Sequence, residues 1–328
     1  EAWAACAAGR RCAACSSDSR QGRPGVDEYA EAWFCAQCWA SWEAERPPLC
    51  LYYSREEAAA RAEVTRCLAQ VSKGRCKTLR EGCPALLLPH GSLADSGFVA
   101  AHGFKLLQDM PISLAVIVGT NHRREHKVTL CDLAWRCPLG RAEPAMELIR
   151  ELEARGYAVH REAHAEEHSI ENQLPFLLRL FPGLCLLAIG VGGLGFADAE
   201  RLALDLANLV ADRPGAVLLG TTDFSHEGPA YGGPRLPRSQ LTALTRAKDA
   251  PLLDAVQRLD AGALLERSHG SSMCGAGAAA VLILCCRAMG LTSAELLQYK
   301  VNTEIWPADS TTGFAAFAFR RPATNAPD

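Results

Sequence analysis

Three short apolar runs in this chain are each followed within a few residues by a histidine. The runs are residues 85–88, 114–118 and 216–219. The histidines that follow them are His90, His122 and His226. Parallel strands of an open α/β sheet bring the groups at their carboxyl ends into one crevice, where such sheets bind ligands. Because histidine is the commonest metal ligand, the pattern predicts a metal site built from these histidines, with Asp223 beside it.

From residue 83 onward, apolar runs alternate with helical patterns, which predicts an α/β fold with a mixed central sheet flanked by helices. The expected strands cover 85–88, 114–118, 185–189, 216–219, 295–301 and 314–319. The expected helices cover 98–107, 142–155, 196–211, 250–258, 261–267 and 277–289, with a further helix from residue 169. Residues 46–82 are interpreted as a linker with a connecting helix, and residues 322–328 as a tail.

The N-terminal segment, residues 1–45, has a different character. It contains two Cys-x2-Cys pairs, Cys12 with Cys15 and Cys35 with Cys38, separated by 19 residues. That spacing is typical of a structural zinc site, in which the ion replaces the core that so short a segment cannot build. We therefore predict a small zinc-ribbon-like segment; redox-active or uncoordinated thiols are the alternative.

Composition excludes several classes of protein. With 328 residues and 49% hydrophobic content the chain can build a large core, and a net charge of -3 argues against nucleic acid as a partner. The longest apolar stretch, residues 276–286, is about half the ~20 residues needed to span a membrane. We expect no membrane partner and a cytoplasmic location, with a nuclear one also open, although a chain that starts at Glu1 does not allow targeting to be judged. The oligomeric state is not predicted.

An ordered set of motifs resembles the Memo family, which includes the bacterial proteins called AmmeMemoRadiSam system protein B. The resemblance covers about residues 83 to 321 and leaves the cysteine-rich N-terminus outside. The motifs are Pro89-His90, Ser96-Gly97, Gly119-Thr120-Asn121-His122, Glu167-His168-Ser169-Ile170-Glu171, Leu174-Pro175, Asp223-Phe224-Ser225-His226 and Cys274-Gly275.

The resemblance implies a fold similar to that of the class III non-haem iron extradiol dioxygenases and a site for iron or copper. The ligands that it implies are His90, His122 and Cys274. Asp223 and His226 would lie in the same pocket, with His226 as the acid or base.

Two further residues, His168 and Glu171, are expected either to line this pocket or, for Glu171, to cap a helix. The chain departs from the family pattern where His90-Gly91-Ser92-Leu93 replaces the usual His-Ala-Gly-Tyr, which removes an aromatic wall. It departs again where Ala276 follows the Cys-Gly pair in place of a basic residue.

Three functions are compatible with these observations. The first is a metal-dependent oxidoreductase acting on a small molecule. The second is a signalling adaptor that binds phosphorylated peptides, as the resemblance implies for animal members. It would require an exposed basic or aromatic patch, for which His122-Arg123-Arg124 is the candidate. The third is a zinc hydrolase with the same ligands, in which Zn²⁺ would generate hydroxide.

Overall fold

The computed structural model describes residues 48–72 and 84–321 in full, and among residues 1–47 it describes only the backbone of five short strands. Those strands are Arg10–Arg11, Asp18–Ser19, Gly22–Pro24, Trp33–Cys35 and Glu45–Arg46. The first pairs antiparallel with the second, and the third with the fourth. The predicted zinc ligands Cys12, Cys15 and Cys38 lie outside the described residues, as does the side chain of Cys35.

The chain divides into two compact units, Glu1–Pro47 and Pro48–Asp328. The strands of the second unit are β1 (Ala85–Leu88), β2 (Leu114–Thr120), β3 (Val128–Cys131), β4 (Ala134–Cys137), β5 (Gly140–Pro144), β6 (Cys185–Val191), β7 (Ala216–Thr221), β8 (His226–Glu227), β9 (Ser293–Val301) and β10 (Thr311–Arg320). Its helices are α1 (Glu57–Ala69), α2 (Leu93–Leu107), α3 (Met146–Ala154), α4 (Arg161–Ala165), α5 (Leu174–Leu180), α6 (Phe196–Val210), α7 (Arg238–Gln257), α8 (Ala261–Ser268) and α9 (Ala276–Ala288). Single 3-10 turns occur at Glu171–Gln173, Pro229–Tyr231 and Asn302–Glu304.

These strands form a mixed sheet in the order β8-β10-β1-β7-β2-β6-β5-β4, with β9 paired to β10 and β3 paired to β6. Its centre, β1-β7-β2-β6, is parallel. On the β1 side the neighbouring strand β10 runs antiparallel. The fold is therefore a mixed α/β sheet flanked by helices, as the alternation of patterns predicts.

Helices cover both faces of the central strands. Alternate residues of a strand point to opposite faces, so that Val116 and Val118 of β2 pack into one layer while Ala115 and Ile117 pack into the other. The first layer contains α3, α6, α7, α8 and α9, and the second contains α1, α2 and α5. Burial on both sides explains the continuous apolar runs, since each fully buried Val, Leu or Ile side chain contributes roughly 1.5–3 kcal/mol.

The predicted helix over 142–155 is wrong in its first part. Gly140–Pro144 is the strand β5, in which Ala142 pairs with Trp135, and the helix begins only at Met146. Pro144 has no backbone N–H to donate to a helix and disfavours helical geometry in the residue before it. The segment from residue 169 likewise differs, because a 3-10 turn at Glu171–Gln173 precedes α5.

Helix α7 was predicted to begin near residue 250 but begins at Arg238. Its buried positions recur at helical spacing and comprise Leu241, Thr245, Asp249, Leu252, Ala255 and Val256. Two of these buried residues, Thr245 and Asp249, are polar, so the sequence does not show the helical spacing of apolar residues that would predict the first part of the helix. Pro251 lies inside the helix. None of the helices within 48–72 and 84–321 is long and apolar enough to cross a membrane.

Candidate metal centre

Three parallel neighbours of the sheet bring the predicted site residues to one edge. Strand β7 lies between β1 and β2, with Thr221 beside Leu88 and Gly220 beside Val118. All three strands therefore end at the same level. His90, His122 and Asp223 follow these ends within two residues and are brought to the same crevice, as predicted.

The His90 imidazole is fully enclosed, with a relative exposure of 1%. Its Nδ1 lies 3.1 Å from Thr221 Oγ1 and its Nε2 lies 3.2 Å from Cys274 Sγ. The pKa of His90 is lowered to about 3, mainly because the ring is buried and secondly because a positive charge on His122 would repel a proton on it. The ring is therefore neutral near pH 7, which is the form that binds metal ions.

Asp223 fixes the backbone that carries His90. Its Oδ1 accepts the N–H groups of His90 at 2.8 Å and Gly91 at 3.2 Å, and its Oδ2 lies 4.0 Å from His90 Nε2. Burial raises the pKa of Asp223. A positive charge on His226 and the hydrogen bond from the backbone N–H of His90 both stabilise the carboxylate and oppose that rise. Its role in the geometry is to hold the turn after β1 in place.

His122 is oriented by a carboxylate. Its Nδ1 lies 3.0 Å and 3.1 Å from the two oxygens of Glu167, which also accept the backbone N–H groups of His122 and Ser169. A carboxylate only accepts, so Nδ1 carries a proton, and in the neutral ring Nε2 has the lone pair that can bind a metal ion. Burial alone would raise the pKa of Glu167, but the hydrogen bonds and charge of His122 hold it far below its usual range. This pair matches the carboxylate–histidine arrangement that surrounds metal ions in proteins.

Cys274 reaches the crevice from the loop that leads into α9. Its Sγ also receives the backbone N–H of Asp223 at 3.3 Å. A side chain at Gly275 would begin 2.6 Å from both Thr120 Oγ1 and the carbonyl oxygen of Thr221, so only glycine allows this loop to approach the strand ends. Burial, then the charge of Asp223, raises the pKa of the Cys274 thiol, so the thiolate forms where a cation replaces the proton.

The ligand atoms of His90, His122 and Cys274 all lie within 4.8 Å of one another. His122 retains 35% side-chain exposure, which leaves the group accessible from one side. Two imidazoles and a thiol suit a borderline or soft metal ion. The three residues therefore have the chemistry and the proximity that a metal centre requires.

His168 forms one wall of this crevice. Its ring stacks on His122 with centroids 4.6 Å apart and meets Tyr52 at 4.8 Å. Burial, followed by the charge available to His90, lowers the pKa of His168 to about 4. Together with His122 and Glu167 it forms a second group whose ligand atoms lie within 4.8 Å of one another.

The Glu171 carboxylate accepts hydrogen bonds from the segment at residues 49–53. It accepts the N–H groups of Leu49 at 3.0 Å and Cys50 at 2.8 Å, and the hydroxyl of Tyr53 at 2.7 Å. Glu171 thus anchors the segment that supplies Tyr52 to the wall, a role that neither sequence interpretation anticipated.

His226 lies at the start of β8 and is held by Ser272. Its Nδ1 lies 2.9 Å from the Ser272 carbonyl oxygen, and its backbone N–H donates to Ser272 Oγ at 2.7 Å. Because a carbonyl only accepts, Nδ1 is the donor, and in the neutral ring Nε2 has the lone pair. His226 is not part of the group whose ligand atoms lie within 4.8 Å, but its charge influences the pKa values of both His90 and Asp223.

A buried carboxylate supports the loop between Asp223 and His226. Asp249 of α7 accepts the backbone N–H of Ser225 at 2.8 Å through one oxygen and the hydroxyl of Tyr299 at 2.7 Å through the other. Burial raises the pKa of Asp249, and the hydrogen bonds from Ser225 and Tyr299 oppose the rise.

Sequence reasoning missed several residues that hold this site. Glu167 was recognised only as part of a motif, and Asp249 not at all. Asn172 and Gln173 donate their side-chain amides to the carbonyls of His90 at 2.5 Å and Pro89 at 3.0 Å. The available signal was the cluster of polar residues before the apolar run of α5, since buried polar side chains there must find partners.

The fold and this crevice define a mixed α/β protein with a His/Cys group suited to metal binding. Residues 50–318 match the family model described as Memo-like protein. A MEMO1 family protein of Methanopyrus kandleri is 32% identical over 251 residues, which are 73% of this chain and 83% of the relative. Similar proteins of the same description occur in Methanosarcina barkeri (30% identity, 70% of this chain and 83% of the relative) and Thermotoga maritima (32% identity, 64% and 74%). The chain therefore belongs to the Memo family.

Proposed function

We propose that this protein binds an iron or copper ion through His90, His122 and Cys274 and acts as a metal-dependent oxidoreductase. The observation that supports this most is the proximity of the three ligand atoms, all within 4.8 Å, combined with the Glu167 carboxylate on Nδ1 of His122. We take a small molecule as the substrate, which would reach the ligand group on the side where His122 keeps 35% side-chain exposure.

The donors present fit such an ion. Two neutral imidazoles and a thiolate are the soft and borderline ligands that suit Fe(II) and Cu(I). When bound, the ion would supply one-electron chemistry. Glu167 would raise the basicity of His122 and hold its ring, and Asp223 would hold the turn that carries His90.

In this proposal His226 is the general acid or base. Its protonated Nδ1 is held by the Ser272 carbonyl, so Nε2 can accept a proton and later return it. The hydrogen bond from the backbone N–H of Ser225 to Asp249 keeps the connecting loop in place.

The adaptor function receives less support. Phosphopeptide binding needs exposed cations beside the crevice, and Arg123 already forms an ion pair with Glu166. A phosphorylated peptide thus remains the second ligand class. We also propose that residues 1–45 hold one structural zinc ion through their four cysteines, and that the main unit shares its fold with the class III extradiol dioxygenases.

The test is elemental analysis of anaerobically purified full-length protein, with electron paramagnetic resonance after addition of Fe(II) or Cu(II). Wild type should contain iron or copper, and Cys274→Ala and His90→Ala should lose it while keeping the wild-type circular dichroism spectrum. Cys185→Ala is the matched control, because Cys185 is a half-buried thiol at the start of β6 and far along that strand from its carboxyl end. Full metal occupancy in both site variants would refute the ligand assignment.

If the protein contains zinc and takes up no redox metal, the oxidoreductase hypothesis is wrong, and the zinc hydrolase or the adaptor hypothesis takes its place. Deletion of residues 1–45 separates the two sites. It should remove about one zinc ion per chain and spare the redox metal. Unchanged zinc content after the deletion would reject the four-cysteine site.

A further inference from the structure

A further histidine group, separate from the two groups that include His122, lies on the surface of the same unit and is not used by the proposed function. The rings of His126 and His160 stack with centroids 3.8 Å apart and planes inclined by 11°. Nδ1 of His160 lies 3.2 Å from a carboxylate oxygen of Glu162. One ligand atom from each of the three residues lies within 4.8 Å of the others.

The backbones that carry these residues are held from both sides. The N–H of His160 donates to the Leu130 carbonyl at 3.0 Å, and the N–H of Leu130 donates to the Ala158 carbonyl at 3.0 Å. The end of the other segment is fixed because Gly192 donates its N–H to the Lys127 carbonyl at 3.0 Å. The two imidazoles are therefore brought together by strand pairing on each side of β3.

Glu162 can interact with the histidines because the cation next to it in sequence is paired with another carboxylate. Arg161, the adjacent cation, donates to both oxygens of Asp132 at 2.7 Å. Glu162 is exposed, and the hydrogen bond to its own backbone N–H, then that from His160, lower its pKa. The group thus consists of one carboxylate and two imidazole side chains.

We propose that His126, His160 and Glu162 form a further metal site, distinct from the central site and from the four cysteines, which takes a borderline divalent ion of the Zn²⁺ type. Two histidines and a glutamate are an established zinc donor set, with a fourth position open to water. Ligand atoms around one zinc ion lie roughly 3.3–3.5 Å apart. In the stacked arrangement the two imidazoles direct their ring nitrogens side by side, so at least one ring must turn about its side-chain torsions before both face a shared ion. The 3.2 Å contact of His160 with Glu162 already has the separation that two ligands of one ion require.

Such an ion would restrict the motion of the loop that carries His122. That ligand of the proposed redox site lies four residues before His126 in the connection between β2 and β3. The connection includes Arg124, whose φ of 57° lies in the left-handed region, and Asn121, which donates its side-chain amide to the His126 carbonyl at 3.4 Å. A metal bridge from His126 to α4 would restrict this loop and so the position of His122.

Zinc uptake by the full-length chain tests the site. The parent is Cys274→Ala, which lacks the central thiol, and it is compared by equilibrium dialysis with the same chain carrying His126→Ala and His160→Ala. We expect the added substitutions to remove about one bound Zn²⁺ per chain and Glu162→Gln to weaken its binding. His269→Ala, which removes an exposed histidine at the end of α8, should leave uptake unchanged.

Equal uptake with and without the two histidines would overturn the site. Hydrogen exchange measures the link to the loop. Added Zn²⁺ should slow exchange of the amides of residues 122–127 in the parent and not in the histidine variant. Exchange that is unaffected by zinc in the parent would overturn the proposed restriction of the loop.

Discussion

Glu167 accepts the Nδ1 proton of His122 at 3.0 Å, and the same carboxylate holds the backbone N–H of Ser169 at 2.7 Å. One side chain therefore fixes both the tautomer of the imidazole and the entry to the following turn. Because Nδ1 is occupied by this hydrogen bond, Nε2 is the nitrogen that remains to bind a metal ion.

Glu167→Gln should weaken metal binding at the central site by roughly 10–100-fold, because outer carboxylates orient the ligand and raise its basicity. Competition with a chelator of known affinity measures the effect. Glu166→Gln changes the exposed neighbour, whose partner is Arg123, and serves as the control. Equal weakening by both substitutions would contradict a specific role for Glu167.

Gly275→Ala should lower the free energy of unfolding by roughly 1–3 kcal/mol, because the added methyl group meets Thr120 and the backbone of Thr221. It should also reduce metal uptake, since Cys274 is displaced with its neighbour. Gly270→Ala is the matched control, as its added carbon would lie 3.9 Å from the nearest atom, the Arg267 carbonyl oxygen. Urea unfolding of the two variants checks the difference, and similar losses would show that the close approach is unimportant.

Asp249→Asn should destabilise the protein by about 1–3 kcal/mol. The amide oxygen can still accept the backbone N–H of Ser225, but the NH₂ group then meets the Tyr299 hydroxyl, which must turn from donor to acceptor, and both hydrogen bonds lose the negative charge of the carboxylate. The loop between Asp223 and His226 should loosen, which hydrogen exchange of Ser225 would report. A variant with wild-type stability and protected Ser225 would exclude this supporting role.

Tyr53→Phe should cost about 1.5–3 kcal/mol near neutral pH, because a buried hydroxyl that donates to the Glu171 carboxylate is lost. Burial, then the charge of Glu171, raises the pKa of Tyr53 above its ordinary value of 10.0. Above pH 10 the unfolded chain releases the phenolic proton while the folded chain keeps it, so the folded state loses this advantage as pH rises.

The stability difference between wild type and Tyr53→Phe should therefore be complete below pH 10 and shrink above it. Chemical unfolding measured across this range provides the test. Tyr157 and Tyr299 also have raised pKa values, so the difference between the two proteins, and not the wild-type curve alone, isolates Tyr53. A difference that stays constant with pH would contradict the argument.

Much of this fold could be predicted because burial on both faces leaves a plain signal in sequence. The apolar runs of β1, β2 and β7 and the polar residues after them follow directly from parallel strands between two helical layers. His90 and His122 could be placed together on that basis. Helix α7 could not be read in the same way, because Asp249 and Thr245 occupy core positions where the pattern requires apolar residues.

By itself, therefore, the sequence determined the α/β alternation, the strand ends and the residue types that can bind a metal ion, since these depend on local pattern and chemistry. Only the tertiary structure decided which distant groups meet. Cys274 lies 184 residues from His90 and contacts it because the Gly275 backbone fits against the strand ends. The partners of Glu171 were decided in the same way, since the segment at Leu49, far away in sequence, supplies donors to its buried carboxylate.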